Sequence, residues 1–90
     1  MKLDHIGIVV RDIAVALKVY QEALGLPLRE TLELTDQQVK VAFLPAGESN
    51  IELVQPTSND TGVARYLATR GEGVHHICIE VEDIEAALAQ

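Results

Sequence analysis

Residues 3–19 of this 90-residue chain recur at 74–90, a shift of 71 positions. Eight of the 17 aligned pairs are identical: His5/His76, Ile6/Ile77, Ile8/Ile79, Val10/Val81, Asp12/Asp83, Ile13/Ile84, Ala16/Ala87 and Leu17/Leu88. Unrelated segments of ordinary composition would agree at about one position. Self-similarity at a fixed period marks a repeated supersecondary unit. The chain is therefore expected to carry one whole module and the opening of a second.

Local patterning defines the module. Residues 3–10 alternate, with Ile6, Ile8 and Val10 on one face and Leu3, His5, Gly7 and Val9 on the other. Asp12 is placed to cap a helix in which Ile13, Ala16, Leu17, Tyr20 and Leu24 recur at helical spacing. Gly25 is a natural stop and Pro27 bars continuation. Strands are expected over 28–35, 38–44 and 50–54, with turns at Asp36-Gln37 and over 45–49. A short helix over 61–70 would present Val63, Tyr66 and Leu67 on one side, and Gly71 to Gly73 would link it to the second copy. That copy repeats the opening: a strand over 74–81, a cap at Asp83 and a helix from Ile84. The expected class is α+β. Residues 1–70 form a βαβββ module with its connecting helix, and 71–90 form a linker and an incomplete second module.

Bulk properties exclude several roles. A formal charge of −7 argues against nucleic acid, whose binding depends on neutralising phosphates. It leaves an anionic small molecule open, since local charge can oppose the global balance. One cysteine, Cys78, forbids an intrachain disulfide and fits a reducing compartment. No apolar run approaches the roughly 18 residues of a membrane span, and no basic-then-apolar leader opens the chain. The expected location is the cytoplasm.

The strand period also assigns the chemistry. With both apolar triads turned to covering helices, His5 and His76 point the other way. Two modules related by a pseudo-two-fold axis would bring these imidazoles together, and neutral imidazole is a common metal ligand. Glu52, between Ile51 and Leu53, emerges on the face of His5. Two imidazoles and a carboxylate suit a divalent transition ion acting as a Lewis acid. A lone histidine in an apolar strand is ordinarily structural; packing alone does not explain two copies of it on one face. His75 is expected on the helix-facing side as a structural or hydrogen-bonded residue. Cys78 reads as core or cleft lining, because no base is identifiable beside it. Gly71 and Gly73 are turn residues, and no phosphate-binding glycine pattern is present.

Three segments carry a resemblance: Leu-Asp-His-Ile-Gly-Ile-Val-Val, Gly-Glu-Ser-Asn-Ile-Glu-Leu-Val-Gln-Pro, and Arg-Gly-Glu-Gly-Val-His-His-Ile-Cys-Ile-Glu-Val. Together they resemble the vicinal oxygen chelate (glyoxalase-like) superfamily, and within it the methylmalonyl-CoA epimerases. The resemblance spans all 90 residues. It implies paired βαβββ modules around one divalent metal (cobalt, manganese, nickel, zinc or magnesium) held by His5, Glu52 and His76. It also implies an acyl-CoA substrate, epimerised between 2R and 2S forms through an enolate. A fourth ligand, a glutamate on the last strand of module two, would fall beyond Gln90. A second proton-transferring glutamate falls at Lys40, so the catalytic acid and base are unassigned. As it stands the chain is expected to be impaired as an enzyme, and to associate as a homodimer that exchanges its C-terminal segment. Three alternatives stay open: another isomerase or a dioxygenase on the same scaffold, a metal-free ligand-binding module, or a fragment that folds without a finished site.

Overall fold

The computed structural model describes residues 2–80, so the cap and helix expected at Asp83 and Ile84 lie outside the described residues. Five strands form one sheet in the order β2-β3-β4-β1-β5. They are β1 (Lys2–Val9), β2 (Glu30–Leu34), β3 (Val39–Ala46), β4 (Ser49–Pro56) and β5 (Gly73–Glu80). β1 runs parallel to β4, and every other pairing is antiparallel. A parallel neighbour requires a crossover, and the helix after β1 supplies it.

That helix starts as expected. The Asp12 side chain accepts from the Ala14 and Val15 amides at α1 (Ile13–Leu17), and the Gln55 side-chain oxygen accepts from Ile13 N at 2.9 Å. It then widens into a π-helical stretch, Lys18–Ala23. The wider turn adds a residue per turn and rotates the stripe. Leu24, expected on the buried side, is consequently 61% exposed, and Leu26 and Leu28 pack against the core in its stead. Gly25 ends the segment at φ +70°, as its place in the sequence predicts.

The three middle strands fall where the alternation put them, except at one turn. Pro45, Ala46 and Ser49 belong to strands, which leaves Gly47 and Glu48 to turn the chain. Two apolar layers result. Val10, Ile13, Ala42, Leu44 and Leu53 pack under α1 with Ile8, Ala16, Leu17 and Tyr20. On the opposite face Val39, Val41 and Val54 pack with Leu34, Phe43 and Val63, the last from α2 (Gly62–Arg70). Thr61 caps α2 by accepting from the Ala64 amide, and Gly71 closes it at φ +76°.

β5 does not sit across a gap from β1; it pairs with it directly, edge to edge in the same sheet. Among the described residues it is an outer strand, with Val74, Ile77 and Ile79 between 54% and 60% exposed. Neither described helix is long and apolar enough to cross a membrane.

Candidate metal centre

The antiparallel pairing of β1 with β5 sets the two histidines diagonally across one ladder. His5 stands opposite Cys78, and His76 opposite Gly7. Their rings meet edge to face, centroids 5.1 Å apart, with 3.1 Å between the two Nε2 atoms. Glu52 reaches the same cluster from β4, its carboxylate 3.2 Å from His5 Nδ1. His5 and Glu52 are each only 18% exposed. All three sequence-expected ligands are thus brought together, with His5 in the middle. Glu52 touches one nitrogen of its ring and His76 the other, so the three form a chain rather than a closed triangle.

The two imidazoles suit a divalent first-row ion, whereas Glu52 lies against the other nitrogen of His5; the described ligand atoms that all fall within 4.8 Å of one another belong to Asp4, His5 and Cys78. Ligand nitrogens about 2.1 Å from a metal and at right angles to each other are about 3.0 Å apart, close to the 3.1 Å separation of these two nitrogens. Burial holds the His76 pKa below its ordinary 6.5, as do the neighbouring His5 and His75 imidazoles, against an opposite pull from Glu52. A ring kept neutral is the form that binds metal. The same shift has a consequence for stability. Below pH 6.5 the unfolded chain binds a proton that the folded His76 resists. The His76 contribution to folding stability should therefore be constant above this value and fall as the pH drops below it. Thermal melting across that range should lose part of its slope in His76→Gln. An unchanged slope would remove His76 as the cause.

Gly7 makes the arrangement sterically possible. A Cβ added there would lie under 3.0 Å from the His76 ring at Cε1, Nε2 and Nδ1. The sequence offered a signal, since a glycine inside a strand often marks a close approach. Asp4 was also missed. Its carboxylate accepts from His5 Nδ1 at 2.8 Å, and ligand atoms of Asp4, His5 and the exposed Cys78 all lie within 4.8 Å of one another.

Two expectations are corrected. His75 does not face the helix side with Ile77. A ladder irregularity turns it toward the cleft, where its Nδ1 lies 3.0 Å from His76 Nδ1 and its ring stands edge-on to Tyr66. It is hydrogen-bonded, as the sequence reading held, but on the other face. Lys40 is not in the site. It lines a groove with Asp12, Ile13 and Leu17 on the α1 side, because the β3–β4 register gives the cleft face to Val39, Val41 and Phe43. The cleft beside the histidines has a volume of ≈520 Å³, with Val41, Phe43, Val54 and Val63 and also Glu52, His75 and His76 among its lining residues.

Residues 4–90 match the glyoxalase/bleomycin resistance protein/dioxygenase superfamily. The chain belongs to that superfamily. It is 36% identical over 88 residues to the human mitochondrial methylmalonyl-CoA epimerase, covering 97% of this chain and 50% of that protein. A hypothetical protein from Bacillus halodurans superposes with a TM-score of 0.89 at 46% identity, over 98% of this chain and 64% of that one. A Streptomyces coelicolor methylmalonyl-CoA epimerase in complex with 2-nitronate-propionyl-CoA does so at 0.85 and 33% identity, over 99% and 68%. The chain therefore spans about half the length of the human superfamily relative it matches.

Proposed function

We propose that the chain carries the metal-binding half-site of an epimerase acting on methylmalonyl-CoA, with His5, Glu52 and His76 as ligands of one divalent ion. The carrying observation is the pair of Nε2 atoms 3.1 Å apart with a carboxylate on the same imidazole. Such an ion, when bound, offers positive charge to an oxygen on which enolate charge develops, an effect worth several kcal/mol. The chain's own residues supply the rest. His5 and His76 would hold the ion, beside the cleft that His76 and Glu52 line. Val41, Phe43, Val54 and Val63 line its wall and give it an apolar surface. Similarity to methylmalonyl-CoA epimerases supports the substrate class.

The test is exchange of the substrate α-proton with deuterated solvent. His5→Ala and His76→Ala should each slow it by about 10²-fold or more, the scale of a positioned catalytic group. Exchange at the unaltered rate in both variants would refute the reading. One observation favours a second reading. Val39, Val41 and Phe43 give β3 no proton-transferring side chain on the cleft face. A metal-free module that only binds a ligand would fit this wall. It would show tight binding of an apolar compound, no stoichiometric metal and no exchange.

A further inference from the structure

We propose that Asp4 and His75 are equivalent positioning residues, each holding the outer nitrogen of the histidine that follows it so that both Nε2 atoms face one ion. The inference rests on the metal-binding reading above. Its first support is the repeat, in which position 4 shifted by 71 is position 75. Strict alternation would turn both residues away from the histidines beside them. The β1–β5 ladder instead breaks twice, once at each. Pairing passes from Leu3/Ile79 to His5/Cys78, which leaves Asp4 as the extra residue. It passes from Gly7/His76 to Ile8/Val74, which leaves His75 as the extra residue. Bulges of this kind re-aim a side chain, and here both aim at an imidazole.

The two contacts are alike. Asp4 Oδ2 lies 2.8 Å from His5 Nδ1, and His75 Nδ1 lies 3.0 Å from His76 Nδ1. His75 is itself held, its ring edge-on to Tyr66 at 5.0 Å, while the Tyr66 hydroxyl donates to the Val74 carbonyl at 2.7 Å. An ionised carboxylate only accepts, so His5 Nδ1 carries the proton and Nε2 presents its lone pair. His75 can both give and take a hydrogen bond. Without an ion, the donors run His75 to His76 to His5 to Asp4, and every contact is satisfied. With an ion at His76 Nε2, the His76 proton sits on Nδ1 and His75 accepts it. Asp4 has a further effect. Glu52 lies 3.2 Å from the same His5 nitrogen. The shorter bond to Asp4 satisfies that N–H, so the proton stays on Nδ1 without needing Glu52.

The experiment is a Co(II) titration of the chain, followed by the ion's visible absorption, with far-UV circular dichroism to confirm folding. Asp4→Leu and His75→Phe remove the hydrogen-bonding groups, and His75→Phe keeps a ring against Tyr66. Each should weaken Co(II) by about 10–100-fold, the usual cost of losing an outer partner. Asp4→Asn and His75→Asn keep a polar group in place and should recover most of the loss. Wild-type affinity in both Asp4→Leu and His75→Phe overturns the inference while leaving the metal centre intact. Loss of the metal reading itself would show differently, as wild-type Co(II) binding that is absent or indifferent to His5→Ala. Ring-nitrogen NMR of the ion-free protein then decides. A protected His5 Nδ1 proton that disappears in Asp4→Leu supports the pairing, and an identical signal in both overturns it.

Discussion

Gly7→Ala should abolish tight metal binding while leaving the fold nearly intact. The added methyl overlaps the His76 ring, whose Cε1, Nδ1 and Nε2 would all lie closer than 3.0 Å. Something must move, and the two partners differ in how easily they do so. Gly7 is in the middle of β1, paired with Glu52 of β4 on one side and His76 of β5 on the other. Moving it would disturb both ladders. His76 is an exposed side chain at the outer strand, and rotation about its own bonds carries the ring away. The ring therefore yields and the backbone stays. Gly7 has no positive φ to lose, so alanine brings no backbone strain. Overpacking of an enclosed position costs about 1–3 kcal/mol, and a partner free to swing should keep the cost at the lower end.

The ligand geometry has no such tolerance. Once the ring leaves, the 3.1 Å pairing of the Nε2 atoms is gone. The remaining donors are His5 and Glu52. Co(II) affinity should fall by about 10²-fold or more, an effect larger than that of an outer partner and comparable with His76→Ala. Gly73→Ala is the matched control, since its added Cβ would meet only the Tyr66 hydroxyl at 3.9 Å. Equal Co(II) affinity in Gly7→Ala and the unaltered protein would show that His76 is not a ligand in the position described.

Much of this was legible in the sequence, because period and repeat act through the same backbone geometry that builds the sheet. Alternation alone put His5 and Glu52 on one face, and the structure has their side chains in contact. The duplicated segment foretold that His5 and His76 would meet, though not that their strands would be direct neighbours. Bulges escaped notice for a physical reason. A bulge changes which residues oppose each other without altering the order of apolar and polar residues along either strand. Asp4 and His75 were hidden for that reason, and both touch a candidate ligand. Lys40 was a failure of another kind. Its face follows from the β3–β4 register, which places Phe43 opposite Glu52 and so turns Lys40 to the α1 side with Ala42 and Leu44. The tight turn at Gly47 and Glu48 sets that register. The π-helical stretch escaped because a spacing of 3.6 residues describes Ile13 to Tyr20 adequately, and only Leu24 is thrown off the stripe.

Leu53→Ala should produce one of the largest losses of stability among the described residues. Leu53 is fully buried on β4, which has β3 on one side and β1 on the other. Its side chain belongs to the layer that holds Val10, Ile13, Ala42 and Leu44 beneath α1. Neighbours on two flanking strands and a covering helix can close in only partly on the space left behind. Buried leucine-to-alanine changes cost about 2–5 kcal/mol, and the upper part of that range applies where collapse is hindered. Small domains have about 5–15 kcal/mol in all. Each kcal/mol shifts Tm by about 4–8 °C at this size, so a fall of roughly 15–30 °C follows from a loss near 4 kcal/mol. Leu32→Ala, at a leucine 41% exposed on β2, should cost far less. Urea or thermal unfolding of the two variants separates packing from helix and strand preference, since both changes are chemically identical and both lie in strands. Glu52 and Val54 flank Leu53 but face the cleft, so the part of the Leu53→Ala protein that remains folded should bind Co(II) with near-normal affinity. Equal costs at positions 32 and 53 would mean that the layer under α1 does not hold the molecule together.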